Sequence, residues 1–191
     1  KAYFNLNDAQ LGSILLVMPF AALIGTVTSG WLISKFNNRD LLLVSFLFFS
    51  LSLLGISLVK TSVLLIIVLA LFSICMRVLN IAMNAQSITL QALYEKKIIG
   101  SFHGVWSLGG VVGVVFSTFM VRFNVTIQNH FLAIALITIL ATIIAYKYSL
   151  TKDKSITGNK LIIGKPDPFI FYLGLLIFFA AICEGGMFDW S

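Results

Sequence analysis

The chain has 191 residues, 59% of them hydrophobic and 10% charged, with a formal net charge of +6. Soluble domains run nearer half apolar and about a quarter charged, so a soluble fold of this length would lack a polar coat, and lipid must solvate most of the chain. The positive charge does not mark a nucleic-acid binder, because Lys and Arg are spread thinly between apolar runs with no basic stripe and no aromatic–basic interleaving.

Residues 1–10 are polar, and no short apolar region followed by a small-residue cleavage site marks a secretory signal. Both ends are expected to be cuts in a longer protein, since the chain opens without Met and stops at Ser191 as an apolar run finishes. Between them, six stretches reach the roughly 20 apolar residues that a spanning helix needs: 11–33, 41–59, 62–85, 101–122, 130–148 and 169–188. They are apolar nearly all round, so periodicity cannot identify them as helices. Lipid does, because backbone groups there must be satisfied within the segment. A barrel strand would be about ten residues long and alternate, which Leu41–Phe49 and Leu64–Phe72 do not.

The expected loops are 34–40, 60–61, 86–100, 123–129 and 149–168. Successive spans run antiparallel, and nine basic residues then gather on one side: Lys35, Arg39, Lys96, Lys97, Lys147, Lys152, Lys154, Lys160 and Lys165. The other side holds three, Lys1, Lys60 and Arg122. The excess predicts that loops 34–40, 86–100 and 149–168 are cytoplasmic and that the first residues lie outside. Asn124-Val125-Thr126 is a formal glycosylation sequon too near the membrane to weigh much.

Span 62–85 and its continuation carry a polar stripe. Ser73, Arg77, Asn80, Asn84, Ser87 and Gln91 recur at three- and four-residue intervals, which on a helix places them within a sector of roughly 80°. An Arg at mid-span costs on the order of 2.5–3.5 kcal/mol if it meets lipid, so Arg77 is expected to face protein or water. The stripe then either lines a polar cavity for an anionic or hydroxylated solute or is a structural seam with Arg77 paired. Span 101–122 carries Gly109, Gly113 and Ser117 four apart, a face of small residues that suits close helix packing. His103, at the start of that span, reads as an interfacial capping or hydrogen-bonding residue ahead of a protonation site.

The 149–168 loop is the expected internal boundary, ending in Asp167, a candidate N-cap, and Pro168, a candidate first helical residue. Span 169–188 carries Glu184 about 24 Å along from Pro168, beside Gly185-Gly186, which permit a helix break. Broken helices at membrane depth mark transport sites, and an ionisable residue there is a functional candidate, here a proton carrier, against a paired Glu that packs two helices. Asp189 lies about 140° from Glu184 on an ideal helix, so the two form no carboxylate pair, and Asp189 reads as interfacial. Cys75 and Cys183 lie in apolar runs as small packing residues. An intramembrane enzyme is disfavoured: Trp106-Ser107-Leu108-Gly109 is not a Gly-x-Ser-Gly turn, and no metal-ligand cluster or phosphate loop is present. A channel, or a sensor or receptor built on a transporter-like fold, stays open beside a transporter.

The run Gly30-Trp31-Leu32-Ile33-Ser34-Lys35-Phe36-Asn37-Asn38-Arg39 resembles the signature loop of the major facilitator superfamily, Gly-x-Leu-Ala-Asp-Arg-x-Gly-Arg-Arg, between helices 2 and 3. Gly30, Leu32, Lys35 and Arg39 match it. Ser34 replaces the acidic residue, and Asn37 replaces a Gly whose left-handed conformation Asn tolerates. Three further runs, 82–86, 103–110 and 184–191, resemble an uncharacterised permease branch near the fucose permeases. The resemblance implies an all-α membrane protein with a partial major facilitator fold, holding six transmembrane helices (2 to 7) of an expected twelve. Residues 1–148 would then be helices 2–6, 149–168 the central cytoplasmic loop, and 169–191 the first helix of the second half. It implies a multi-pass protein of the plasma (inner) membrane, monomeric at full length and without a cofactor or metal, that moves a small polar solute by alternating access coupled to protons. The branch suggests a sugar. Arg77 resembles the family's helix 4 arginine, and with Asn80 and Asn84 it would bind solute. Glu184 would be the coupling carboxylate, and Gly30, Lys35 and Arg39 would form the gating loop.

Overall fold

The computed structural model describes residue 4, residues 6–150 and residues 167–190, with 184–190 described by their backbone alone. Most of the expected 149–168 loop, and the side chains of Glu184 and Asp189, therefore lie outside the described residues. The described structure is helical: α1 (Asp8–Leu15), α2 (Val17–Lys35), α3 (Asn38–Leu58), α4 (Ser62–Gln91), α5 (Ile99–Arg122), α6 (Ile127–Tyr148) and α7 (Pro168–Trp190). The chain divides into two units, one holding α1–α6 and the other α7.

Five stretches are long and apolar enough to cross a membrane: Asp8–Lys35, Asn38–Leu58, Ser62–Gln91, Ile99–Arg122 and Ile127–Tyr148. The apolar α7, of 23 residues, makes a sixth apolar helix. The first span is interrupted at Leu16, between α1 and α2. Pro19 accounts for the break: with no N–H it cannot bond to the carbonyl four residues back, that of Leu15, and its ring crowds that carbonyl. Upstream, α1 starts on a reciprocal cap. Asn7 Oδ1 accepts from the Gln10 N–H at 2.8 Å, and Gln10 Oε1 accepts from the Asn7 N–H at 3.0 Å.

Three loops are shorter than expected, among them 123–129, which shrinks to 123–126 because α6 opens at Ile127. The 34–40 loop shrinks to Phe36 and Asn37, because α2 runs to Lys35 and α3 opens at Asn38. Asn37 has φ −68° and ψ 139°, so the left-handed conformation expected of it is absent and it serves as an extended N-cap position. The 86–100 loop shrinks to 92–98, because α4 continues to Gln91. Past the lipid a helix can show polar residues to water, so the end of hydropathy is not the end of the helix. At the other end of α5, Asn124 takes φ 52°. The Asn124 N–H reaches the Val121 carbonyl and the Val125 N–H the Met120 carbonyl, each at 3.0 Å, which closes the helix in a Schellman motif. The expected cap of α7 is present: Asp167 Oδ1 accepts from the Phe169 N–H at 2.8 Å with Pro168 at the first helical position. The break that Gly185-Gly186 would permit is not taken, since α7 is helical through both. Unbroken backbone bonding is what a lipid environment favours.

Within the first unit, α4 is the central helix. Both α2 and α3 lie along it, α6 packs on α3, and α5 meets α4 lightly. A small core forms where Ile33 of α2, Leu41 of α3 and Val78 and Ala82 of α4 converge. Ser29, Ser45, Ser52 and Ser73 are also buried. Their small side chains let backbones approach, and their hydroxyls bond to backbone carbonyls where these are seen, as Ser29 Oγ does to Thr26 and Ser52 Oγ to Phe48, each at 2.7 Å.

Candidate functional site

The polar stripe of α4 resolves into three parts. At its N-terminal end Ser73 is buried, and its Oγ donates to the Met18 carbonyl of α2 at 2.7 Å, so it joins two helices. Gly25 of α2 crosses α4 nearby. A Cβ there would lie 3.0 Å from the Arg77 Cβ and 3.0 Å from the Ile74 carbonyl oxygen. Close approach thus requires glycine, and it holds the Arg77 backbone against α2. The Arg77 side chain is exposed.

At the other end, Gln91 fastens the loop between α4 and α5. Its Oε1 accepts from the Ile98 N–H at 2.7 Å and the Ile99 N–H at 3.3 Å, and its Nε2 donates to the Lys96 carbonyl at 2.9 Å. The first free N–H groups of α5 are therefore capped from the preceding helix. Ile98, the residue in the N-cap position, offers no side-chain bond. Gln91 is a clasp, a role its place in the stripe did not announce.

Between these ends lies the candidate site. Asn84 Nδ2 donates to the Asn80 backbone carbonyl at 2.8 Å and to Asn80 Oδ1 at 2.9 Å. Ser87 Oγ donates to the Asn84 carbonyl at 2.8 Å. Asn80, Asn84 and Ser87 form one wall of a cleft of about 270 Å³, whose other wall is Phe102, His103 and Trp106 of α5. The cleft is at the small end of the range for ligand pockets, and a mostly apolar lining with a few polar groups is what such pockets share. Two of the three expected solute-binding residues, Asn80 and Asn84, come together here. Arg77 is not in the lining. His103 faces this cleft, and the capping role expected of it falls to Gln91. Phe102 and Trp106 went unread as site residues, because one aromatic among many apolar neighbours carries no signal until the facing helix is known.

The other expected groups fall elsewhere. A Cβ built at Gly30, Gly104, Gly109, Gly110 or Gly113 meets nothing within 4 Å. The small-residue face of α5 thus has no partner among the described residues, save that Ser117 Oγ lies 3.5 Å from His130 Nε2 of α6. Lys35 Nζ stands 4.4 Å from the centre of the Trp31 ring. Arg39 lies over the Tyr146 ring of α6 at 3.9 Å. The Tyr146 hydroxyl donates to Asp40 Oδ1 at 2.9 Å, and Asn37 Nδ2 donates to Asp40 Oδ2 at 3.3 Å. Ser34, which stands where the superfamily loop has its acid, donates to the Trp31 carbonyl at 2.7 Å. The carboxylate of this turn is supplied by Asp40, six residues later.

Comparison with known proteins gives one consistent answer. The family model described as Major Facilitator Superfamily matches residues 1–190. An uncharacterized MFS-type transporter of Yersinia pestis is 27% identical over 191 residues, covering 100% of this chain and 50% of that protein. An uncharacterized transporter of Sinorhizobium fredii is 25% identical, covering 99% of this chain and 50% of its own length. The membrane protein MosC of Rhizobium meliloti is also 25% identical, covering 100% of this chain and 46% of its own length. This chain thus spans about half the length of the curated relatives it matches. No solved structure matches it significantly. With apolar helices throughout and the family match over nearly every residue, the chain is a multi-pass membrane protein that belongs to the Major Facilitator Superfamily.

Proposed function

We propose that the whole protein is a secondary active transporter that moves a small polar solute across the plasma (inner) membrane by alternating access, coupled to protons. The observation that carries this reading is the α4–α5 cleft. It sets the tied amides of Asn80 and Asn84 against an aromatic wall, on a helix whose polar residues cannot all face lipid. Asn80 and Asn84 bind the solute. Arg77, one turn further along α4, meets it as it passes the middle of the span. Glu184 is assigned as the coupling carboxylate on sequence grounds, as an ionisable residue in the apolar run of α7.

Lys35 and Arg39 belong to the ends of α2 and α3, Lys96 and Lys97 to the loop between α4 and α5, and Lys147 to the end of α6. The positive-inside preference turns this side to the cytoplasm and makes the cleft open on the inner side. Residues 149–168 would then be the cytoplasmic loop that joins the two halves, and Gly30, Lys35 and Arg39 belong to the turn that governs access.

The test is uptake by the purified whole protein in liposomes under an inward proton gradient. Asn84→Ala is expected to raise the half-saturation concentration sharply. Arg77→Ala raises the half-saturation concentration. Glu184→Gln removes gradient-driven accumulation and keeps solute exchange. Gradient-driven uptake that survives Glu184→Gln removes the coupling assignment. Movement that never saturates removes the carrier reading in favour of a channel, and saturable binding without movement favours a sensor.

A further inference from the structure

His103 stands on the α5 wall of the cleft and makes no hydrogen bond, ion pair or ring contact to any described residue. Both ring nitrogens are therefore open to what enters. It is also the one titratable group among the ten lining residues. The two helices that form the cleft carry no Asp or Glu. Their other ionisable groups are Cys75 and Arg77 on α4 and Arg122 on α5. Tyr94, Glu95, Lys96 and Lys97 belong to the loop before α5, and Lys35, Arg39 and Asp40 to the helices packed on α4, and none of them lines the cleft. His130 of α6 lies against Ser117, about 21 Å further along α5.

A charged solute entering a half-apolar cleft loses water, which is costly unless an opposite charge meets it. A cationic solute would find no carboxylate on either helix. An anion finds an imidazole that becomes a cation on taking up a proton. Histidine is the side chain whose ordinary charge change falls between about pH 5 and 8, and its charged ring donates from both nitrogens. Met83, Leu90, Ile99, Phe102 and Trp106 make half of the lining apolar, and Trp106 is 66% exposed, so its ring offers a flat face for the body of the solute. Building on the transport reading above, we infer that the solute is an organic anion with a flat apolar body, and that protonated His103 binds its acid group. Proton and anion then bind together, each raising the affinity for the other by the same factor. The cleft thereby takes up a proton with its solute on α5, a different helix from that of Glu184.

The experiment is calorimetric titration of the purified whole protein in detergent between about pH 5 and pH 8. The probes are benzenesulfonate, benzoate and phenylacetate, set against neutral benzamide and cationic benzylamine. Benzenesulfonate stays an anion throughout, so any pH dependence of its binding comes from the protein. It is expected to bind at the acid end, more tightly than benzamide or benzylamine, and to weaken about fivefold or more toward the alkaline end. His103→Gln keeps a polar side chain without the charge. It is expected to lose the pH dependence and to bind at the acid end as weakly as the parent does at the alkaline end. His103→Arg is charged throughout and is expected to hold benzenesulfonate equally well at both ends. A merely structural role for His103 would not produce these opposite profiles, and the parent's own profile decides where a variant fails to fold. A flat profile in the parent, no anionic probe bound, benzylamine bound best, or a His103→Gln variant that keeps the parent's pH dependence overturns the inference. Each of these leaves the transport reading standing so long as some solute moves saturably into liposomes. Anions that bind with the expected profile yet never enter liposomes would remove the transport reading and leave His103 as an anion-binding residue.

Discussion

The guanidinium carbon of Arg39, in the first turn of α3, lies 3.9 Å from the centre of the Tyr146 ring near the end of α6. Arg39 Nε is buried with no hydrogen-bond partner among the described residues, so the ring face is what compensates this part of the cation. The Tyr146 hydroxyl meanwhile bonds to the neighbouring Asp40. One aromatic side chain therefore holds both charges of the first turn of α3 against α6.

The two roles of Tyr146 separate by substitution. Tyr146→Phe keeps the ring and loses one exposed hydrogen bond, an expected cost of about 0.5–1 kcal/mol. Tyr146→Ala also strips the cation of its ring and is expected to cost about 1–2 kcal/mol more. Thermal unfolding of the detergent-solubilised protein measures both. Equal losses for the two variants would mean that the stacking contributes nothing.

Gln91 gives a second test, because its bonds are to backbone groups of the loop that follows. Gln91→Ala is expected to cost about 1–2 kcal/mol, since water takes over part of what the amide supplied. The larger effect is local. The 92–98 loop should be cut faster by protease, and affinity at the cleft should fall, because Phe102 and His103 lie within the first two turns after that loop. Gln91→Glu accepts from Ile98 and Ile99 yet cannot donate to Lys96, so it should fall between the two. Unchanged loop cleavage in Gln91→Ala would show that the clasp is not needed.

Each apolar span was legible because hydropathy reports directly on lipid, and the helix boundaries set by local chemistry were legible too: Asp167 and Pro168 open α7 as read. Most of what escaped was non-local, the Leu16 break excepted. The Leu16 break hinges on Pro19, a local signal that a run of apolar residues masks. The stripe from Ser73 to Gln91 was correctly placed on one face, but a face is some 45 Å long over 30 residues and can meet a helix, a cleft and a loop in turn. Helical spacing cannot tell that Ser73 meets Met18 or that Gln91 meets Ile98. Phe102 and Trp106 became visible only when α5 was set beside α4.

That division of the stripe predicts a division of phenotypes. Ser73→Ala removes one interhelical bond to the Met18 carbonyl. Such bonds in membrane proteins average about 0.6 kcal/mol, so stability should drop slightly and solute affinity should not move. Asn84→Ala should do the opposite, leaving unfolding nearly unchanged and weakening the solute. Were Ser73→Ala to raise the half-saturation concentration as much as Asn84→Ala does, the stripe would act as one surface and the cleft would not be the site.

Gly25 and Gly30 lie on the same helix and predict opposite outcomes. A methyl at Gly25 meets the Ile74 carbonyl oxygen and the Arg77 Cβ, each at 3.0 Å. Neither is the end of a flexible side chain, so α2 and α4 must part. Overpacking of this kind costs about 1–3 kcal/mol, and because Ser73 bonds to Met18 across the same pair of helices, the displacement should loosen that bond as well. Gly25→Ala is therefore expected to unfold at lower temperature, and Gly25→Val to fold poorly or not at all. A methyl at Gly30 meets nothing within 4 Å. There the gain in helix propensity of Ala over Gly, up to about 1 kcal/mol, should leave Gly30→Ala at least as stable as the parent. Unfolding temperatures of the two alanine variants, measured side by side in detergent, decide the matter. If Gly25→Ala proves as stable as Gly30→Ala, then the crossing of α2 and α4 has room for a methyl at Gly25, and Arg77 is not held by that crossing.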